Sequence, residues 1–190
     1  MKKIILVSVI LTLFSGQYGF TLTPGQTSGN FLKIPLGPRP TALGGTPFVA
    51  LADDGASMFW NSAGLAYHTE KGKLIAGYIN FIADIELQYF AFALPLLKNN
   101  IFGIGIVTLA NKYPIKMYDY DNINESTEEF TTTDSMMLLS YSRQLKEKIY
   151  IGFTYKLLKE ELANVVATTS LGDFGVIYQY NPNLKFAFSL

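Results

Sequence analysis

The chain of 190 residues has no cysteine, one histidine and one tryptophan. Without cysteine there is no disulfide framework, no thiolate metal site and no cysteine nucleophile. His68 has no partners for a catalytic triad, and no serine sits in a nucleophile-elbow pattern. Charge is scarce as well: 16% of residues are Asp, Glu, Lys or Arg, 15 basic against 15 acidic. With no basic excess to neutralise phosphates, nucleic acid is not an expected partner. No apolar run reaches the ~20 residues that a helix needs to cross a bilayer. These absences point to a protein without catalysis and without a cofactor.

What the chain does have is aromatic residues and glycine: 14 Phe, 12 Tyr and 16 Gly. This composition suits an outer-membrane barrel, and a secreted β-sandwich equally. The first residues, Met-Lys-Lys followed by IILVSVILTLF and then Ser15, Gly16, Gln17, Tyr18 and Gly19, have the layout of a secretory signal peptide over 1–19. A retained membrane anchor is the alternative. Removal of 1–19 takes away Lys2 and Lys3 and leaves 13 basic against 15 acidic residues. About 170 residues remain, enough for one domain with a core.

From residue 71 onward the chain breaks into segments of strand length, predicted at 73–81, 85–94, 101–110, 135–143, 148–158, 170–180 and 184–190. Alternation is clearest in the fifth, where Ile149, Ile151, Phe153, Tyr155 and Leu157 share one face and Tyr150, Gly152, Thr154 and Lys156 the other. In the last, Leu184, Phe186, Phe188 and Leu190 alternate with Lys185, Ala187 and Ser189. Segments of ~9–11 residues suit transmembrane β-strands. The connections 95–100, 144–147 and 181–183 read as short, and 111–134 and 159–169 as long. Such alternation is expected of a barrel with short periplasmic turns and long outer loops. The connection 82–84 fits the count but not the length. Seven strands are odd where single-chain barrels close with an even number, so 71–190 is expected to be the N-terminal half of a longer barrel. The alternative is a complete eight-stranded barrel with one strand unrecognised.

Ahead of the strands, RPTALGGTPFVALADDGASMFWNSAGLA over 39–66 is small, apolar and Gly/Ala-rich, and reads as a plug rather than a surface helix. Asp53 and Asp54 are a carboxylate pair that could bind a cation or position a ligand. Capping of backbone N–H groups is the reading that needs least. Asn61 reads as a turn residue able to take left-handed geometry. Gly44-Gly45 lacks the lysine and the preceding strand of a phosphate loop. Asp119, Asp121, Asn122, Asn124 and Glu125 fail the EF-hand pattern, since Ile123 takes a ligand position, and read as a solvated loop. Tyr113, Pro114, Met117, Tyr118 and Tyr120 read as interfacial aromatics or a strand extension. His68 reads as a surface residue.

The stretch TALGGTPFVALADDGASMFWNSAGLA resembles the signature of the PorV/PorQ family and the related FadL/OMPP1/TodX hydrophobic-compound channels. Ala42, Leu43, Gly44, Gly45, Val49, Ala50, Leu51, Ala52, Asp53, Asp54, Asn61, Ala63, Gly64 and Leu65 match, and Ser62 stands where proline is usual. LGDFGVIY over 171–178, followed by Asn181-Pro-Asn-Leu184, is similar to a later strand and turn of the PorV/PorQ group. The resemblance implies an all-β, antiparallel outer-membrane barrel of about fourteen strands, with a lumenal hatch of short helices over 20–70. The hatch motif residues Gly44, Gly45, Asp53, Asp54, Asn61, Ser62, Ala63 and Gly64 would be its candidates for gating or ligand contact. It also implies a role in type IX-like secretion, with secretion components and cargo protein as partners. FadL-like uptake of a hydrophobic small molecule is the second role. A secreted soluble β-protein binding a partner is the reading outside the membrane class.

Overall fold

The computed structural model describes residues 29–190 apart from 46, 68–70, 98, 120–121 and 164. The expected signal peptide, His68, Tyr120 and Asp121 lie outside the described residues. Two layers make up the rest. Residues 29–67 form a layer of short turns: α1 Pro38–Ala42, α2 Phe48–Leu51 and α3 Ser57–Trp60, with 3-10 turns at Asn30–Lys33 and Ser62–Ala66. None of these is long or apolar enough to cross a membrane as a helix.

The second layer is a curled, half-barrel sheet of consecutive antiparallel strands. Its members are β1 Lys73–Asn80, β2 Ile85–Leu97, β3 Asn100–Asn111, β6 Thr132–Lys146, β7 Ile149–Leu162, β8 Val165–Asn181 and β9 Leu184–Ser189. All seven predicted strands are present in that order. β4 Ile115–Asp119 and β5 Asn122–Phe130 form a separate two-stranded hairpin between β3 and β6. Pro95 sits inside β2, next to a register shift at 95–97, where the loss of a ladder N–H is tolerated.

The two expected long loops are corrected. The stretch 159–169 is strand: β7 continues to Leu162, and β8 starts at Val165 and pairs with it back to back. Val165, Val166, Thr168 and Thr169 are β-branched and stiff at χ1, which favours a pleated ladder over a loop. The stretch 111–134 holds the β4–β5 hairpin and the start of β6. Asp119, Asn122, Asn124 and Glu125 therefore sit on hairpin strands rather than in an open loop.

Among the described residues, one face of the sheet is covered and the other is bare. On β7, Tyr150, Gly152, Thr154 and Leu158 are buried, while Phe153, Tyr155 and Leu157 are exposed. The pattern repeats along the sheet. Leu87, Tyr89, Ala91, Ala93, Ile101, Val107, Met136, Leu138 and Ile177 point to the concave side and are buried. Leu74, Phe90, Ile104, Ile106, Leu139, Phe174 and Phe186 point to the convex side and are exposed. Many of the larger aromatic and aliphatic side chains thus project away from the layer formed by residues 29–67.

The convex face has a polar limit. Gln88, Thr108, Ser135, Lys159 and Thr168 are register partners in turn across β2, β3, β6, β7 and β8. The next rung toward the tight turns is Phe90, Ile106, Met137, Leu157 and Ser170, and apolar residues fill most of the rungs beyond it.

At the β7–β8 turn Ala163 has φ 52°, in the left-handed region where a Cβ costs about 1 kcal/mol. Ala163→Gly should raise the unfolding free energy by up to about that amount, seen as a higher denaturant midpoint by tryptophan fluorescence. An unchanged or lower midpoint would show that the turn is not strained.

Candidate functional site

The residues singled out in 39–66 all lie in the layer on the concave face, in two groups. The first is a clip. Gly44 and Gly45, at φ 71° and 80°, end α1 by turning the chain left-handed, with the Gly45 N–H donating to the Pro40 carbonyl at 2.9 Å. A Cβ on Gly45 would meet the Trp60 ring at 3.0 Å, so the backbone lies against the indole. Arg39, at the start of α1, donates to Asp53 and, at 3.2 Å, to Asp54, and its guanidinium stands 5.5 Å over the Phe48 ring. The hydrogen bond to Asp53, ahead of the other contributions, raises the Arg39 pKa above its ordinary value. Asp54 also accepts the Ala56 N–H at 2.8 Å. That contact is the expected capping role. Both carboxylates are turned to protein donors.

The second group is a seat. Asn61 is buried, its Oδ1 accepts the Ala63 N–H at 3.1 Å, and its Nδ2 donates to the Val49 carbonyl at 2.9 Å. Its backbone is extended, φ −156°, which corrects the expectation of left-handed geometry: the side chain caps the 3-10 turn from a β conformation. Ser62, Ala63 and Gly64 follow, all buried. A Cβ on Gly64 would overlap the Ala52 carbonyl.

These residues press on one rung of the sheet. Ser142, Gly152, Gly175 and Ser189 are register partners in turn across β6, β7, β8 and β9. A Cβ on Gly152 would overlap Ser62 and the Ala63 backbone, and one on Gly175 would overlap the Asn61 Oδ1. At the flanks, the Ser142 hydroxyl is shared between the Ile151 carbonyl at 3.0 Å and the Ala63 carbonyl at 3.3 Å, and Ser189 Oγ–H donates to the Trp60 carbonyl at 3.0 Å. Two glycines let the chains touch, and the flanking serine hydroxyls face carbonyls of the turn, Ser189 as a direct donor and Ser142 as a shared one.

Further side chains that sequence reading missed complete the seat. Lys73, buried at the start of β1, donates to the Gly64 and Leu65 carbonyls at 3.0 and 2.8 Å, at the end of the 3-10 turn. Tyr67 stacks on Tyr150 with ring centroids 4.1 Å apart, and Lys185 Nζ lies 4.3 Å from its centroid. Burial pushes the Tyr67 phenol up to about 12. The small residues of β6–β9 could have been flagged as the non-apolar phase of their strands. Their meeting on one rung depends on register, which no local pattern supplies.

Beside the seat, a cavity of about 420 Å³ separates residues 31–36 from the wall, lined by Phe31, Leu36, Phe59, Trp60, Met136 and Lys156 among others. Lys156 is ion-paired with Asp173, and the Trp60 indole N–H donates to the Leu36 carbonyl at 2.9 Å. Among the described residues no cluster of three or more His, Cys, Asp or Glu side chains forms. The cavity lining is mainly apolar, with Lys33 and Lys156 as its charged members. The chain matches no protein-family model and no curated protein.

The clip and the seat should separate by mutation. Arg39→Ala removes a half-exposed ion pair and should cost under about 1 kcal/mol of unfolding free energy. Asn61→Ala leaves a buried carbonyl and N–H unpaired and should cost about 2–4 kcal/mol. Equal costs in chemical denaturation would contradict the seat. Asn61 is already in the extended conformation that precedes proline, and Ser62 stands at the first position of its turn with a buried, unpartnered hydroxyl. Ser62→Pro should therefore hold or raise stability, by about 0.5–1 kcal/mol. A loss above that size would show that Ser62 is needed as such.

Proposed function

We propose that this chain is a non-enzymatic outer-membrane β-barrel protein of PorV/PorQ type, with residues 29–67 as its lumenal hatch. The observation that carries this reading is the bare apolar convex face. From Ile149 to Leu157 the apolar phase of β7 covers eight steps, about 26 Å along the strand and about 20 Å after a tilt of ~40°. An outer-membrane band is ~25 Å tall. Across seven strands at ~4.8 Å spacing, such a face covers roughly 700–800 Å². That exceeds the ~300–600 Å² of the largest patch on an ordinary soluble monomer. Lipid is the solvent that makes this face favourable, and the polar rung at Gln88 to Thr168 marks where the headgroups would begin.

In this reading the N-terminal layer fills the lumen, and its seat on β6–β9 keeps it attached to the wall. The resemblance of 39–66 to the PorV/PorQ signature directs the role to type IX-like secretion and surface delivery. A second reading, uptake of a hydrophobic compound, is favoured by the 420 Å³ cavity between residues 31–36 and the wall. A deletion strain distinguishes the two: loss of surface-attached cargo with uptake intact supports secretion, and the reverse supports a channel.

The membrane reading has its own tests. The protein should fractionate with detergent-extracted outer membrane, and recovery in soluble periplasm or medium would sink the proposal. Leu139→Lys, in the middle of the apolar face, should cost about 2–4 kcal/mol of folding into lipid vesicles, and Thr168→Lys, on the polar rung, about 0–1 kcal/mol. Equal penalties would remove the lipid contact from the argument.

A further inference from the structure

The seven-stranded sheet has two edges, β1 and β9, which are not paired with each other. Seven strands in consecutive antiparallel order leave both edges running the same way, so β1 and β9 could meet only in parallel. The stretch 48–60 of the N-terminal layer touches both. On the β1 side, a Cβ on Gly55 would stand 2.9 Å from the Ile75 nitrogen and the Leu74 carbonyl carbon, so the two backbones are in contact. Phe48, Ala52 and Ala56 form a buried cluster against which Ile75 and Trp60 pack. On the β9 side, α2 lies against the strand and the Trp60 carbonyl accepts the Ser189 hydroxyl at 3.0 Å. Between these ends, Phe48 and Trp60 pack edge to face, with centroids 6.3 Å apart.

We infer that residues 48–60 are a strut that sets the separation of the β1 and β9 edges and keeps this sheet from curling until the two meet. A curled sheet with unpaired edges can satisfy its backbone by closing on itself. The strut occupies the space that such a closure would need. It also holds both edges at a fixed spacing for antiparallel neighbours, which can bridge β9 to β1 only in odd number. The membrane reading is not required: the inference rests on contacts between the two layers and is tested on the purified chain.

The chain has no cysteine, so Leu74→Cys with Phe188→Cys gives two spin-label sites on exposed positions, one per edge. Leu74→Cys with Ile104→Cys is the control pair within the hydrogen-bonded sheet. The edge pair should give one narrow distance in the otherwise unchanged chain of residues 1–190. Gly55→Val, which forces a branched side chain into the β1 backbone, should shift and broaden the edge distance while the control pair stays narrow. Ser189→Ala should broaden it less. If Gly55→Val does not fold, Phe48→Ala withdraws the packing on Ile75 and should give the same separation of the two readouts. An edge distance that stays narrow and unshifted in the folded variants overturns the strut. So does a shift of both pairs together, because the segment would then support the sheet in general and not its edges.

Discussion

The structure depends on close approach between two backbones, the turn at Trp60–Ala63 and the Gly152–Gly175 pair on neighbouring strands. Side chains larger than hydrogen at either glycine would lift the turn off the wall. Because the approach is close, its polar groups must be satisfied within the protein, and Asn61, Ser142, Ser189 and Lys73 do this from four different elements. A buried carbonyl without a donor costs free energy comparable to a lost hydrogen bond, so the glycines and the donors work only together. The remainder of the N-terminal layer then hangs from this contact: Trp60 carries Leu36 through its indole, and Gly45 and Phe48 pack on its ring.

The same contact decides which side of the sheet is the inside. Near the seat, β7 to β9 each offer a large apolar phase and a smaller, more polar one. In a water-soluble sandwich the large phase would be buried. Here the layer docks on the side that holds Gly152, Gly175 and the serines, and Phe153, Tyr155, Leu157, Phe174 and Phe186 are left pointing outward. Burial of Leu87, Ile101, Leu138 and Met136 under the layer provides a core on the concave side. Among the described residues nothing packs on the convex side, and the proposed lipid contact rests on this asymmetry between the two faces.

Much of the wall was legible in the sequence because period-2 alternation is a local property. Ile149 to Leu157 could be assigned to a face without knowing any neighbour. Short polar breaks between apolar runs marked the tight connections, Gln144-Leu-Lys-Glu147 and the turn-forming Asn181-Pro-Asn183. The misread stretches were those where local signals compete. The run from Lys159 to Thr169 mixes charge with Val and Thr, and its polarity suggested a loop while its β-branched residues built a ladder. In the N-terminal layer, Asp54 could be read as a cap because an Asx contact reaches only two residues ahead. Arg39, fourteen residues before Asp53, could not be paired with it by any spacing rule.

The sequence by itself determined the strand periods, the order of the seven wall strands and the small-residue character of 39–66. These are set by nearest-neighbour chemistry: side-chain branching, turn residues and composition. Only the tertiary structure decided that Ser142, Gly152, Gly175 and Ser189 share a rung, that Lys73 ends the 3-10 turn, and that 48–60 touches both β1 and β9. Each of these joins residues far apart in the chain, and register is a cooperative property of whole ladders: one residue of slip on any strand would send its small side chains to the opposite face.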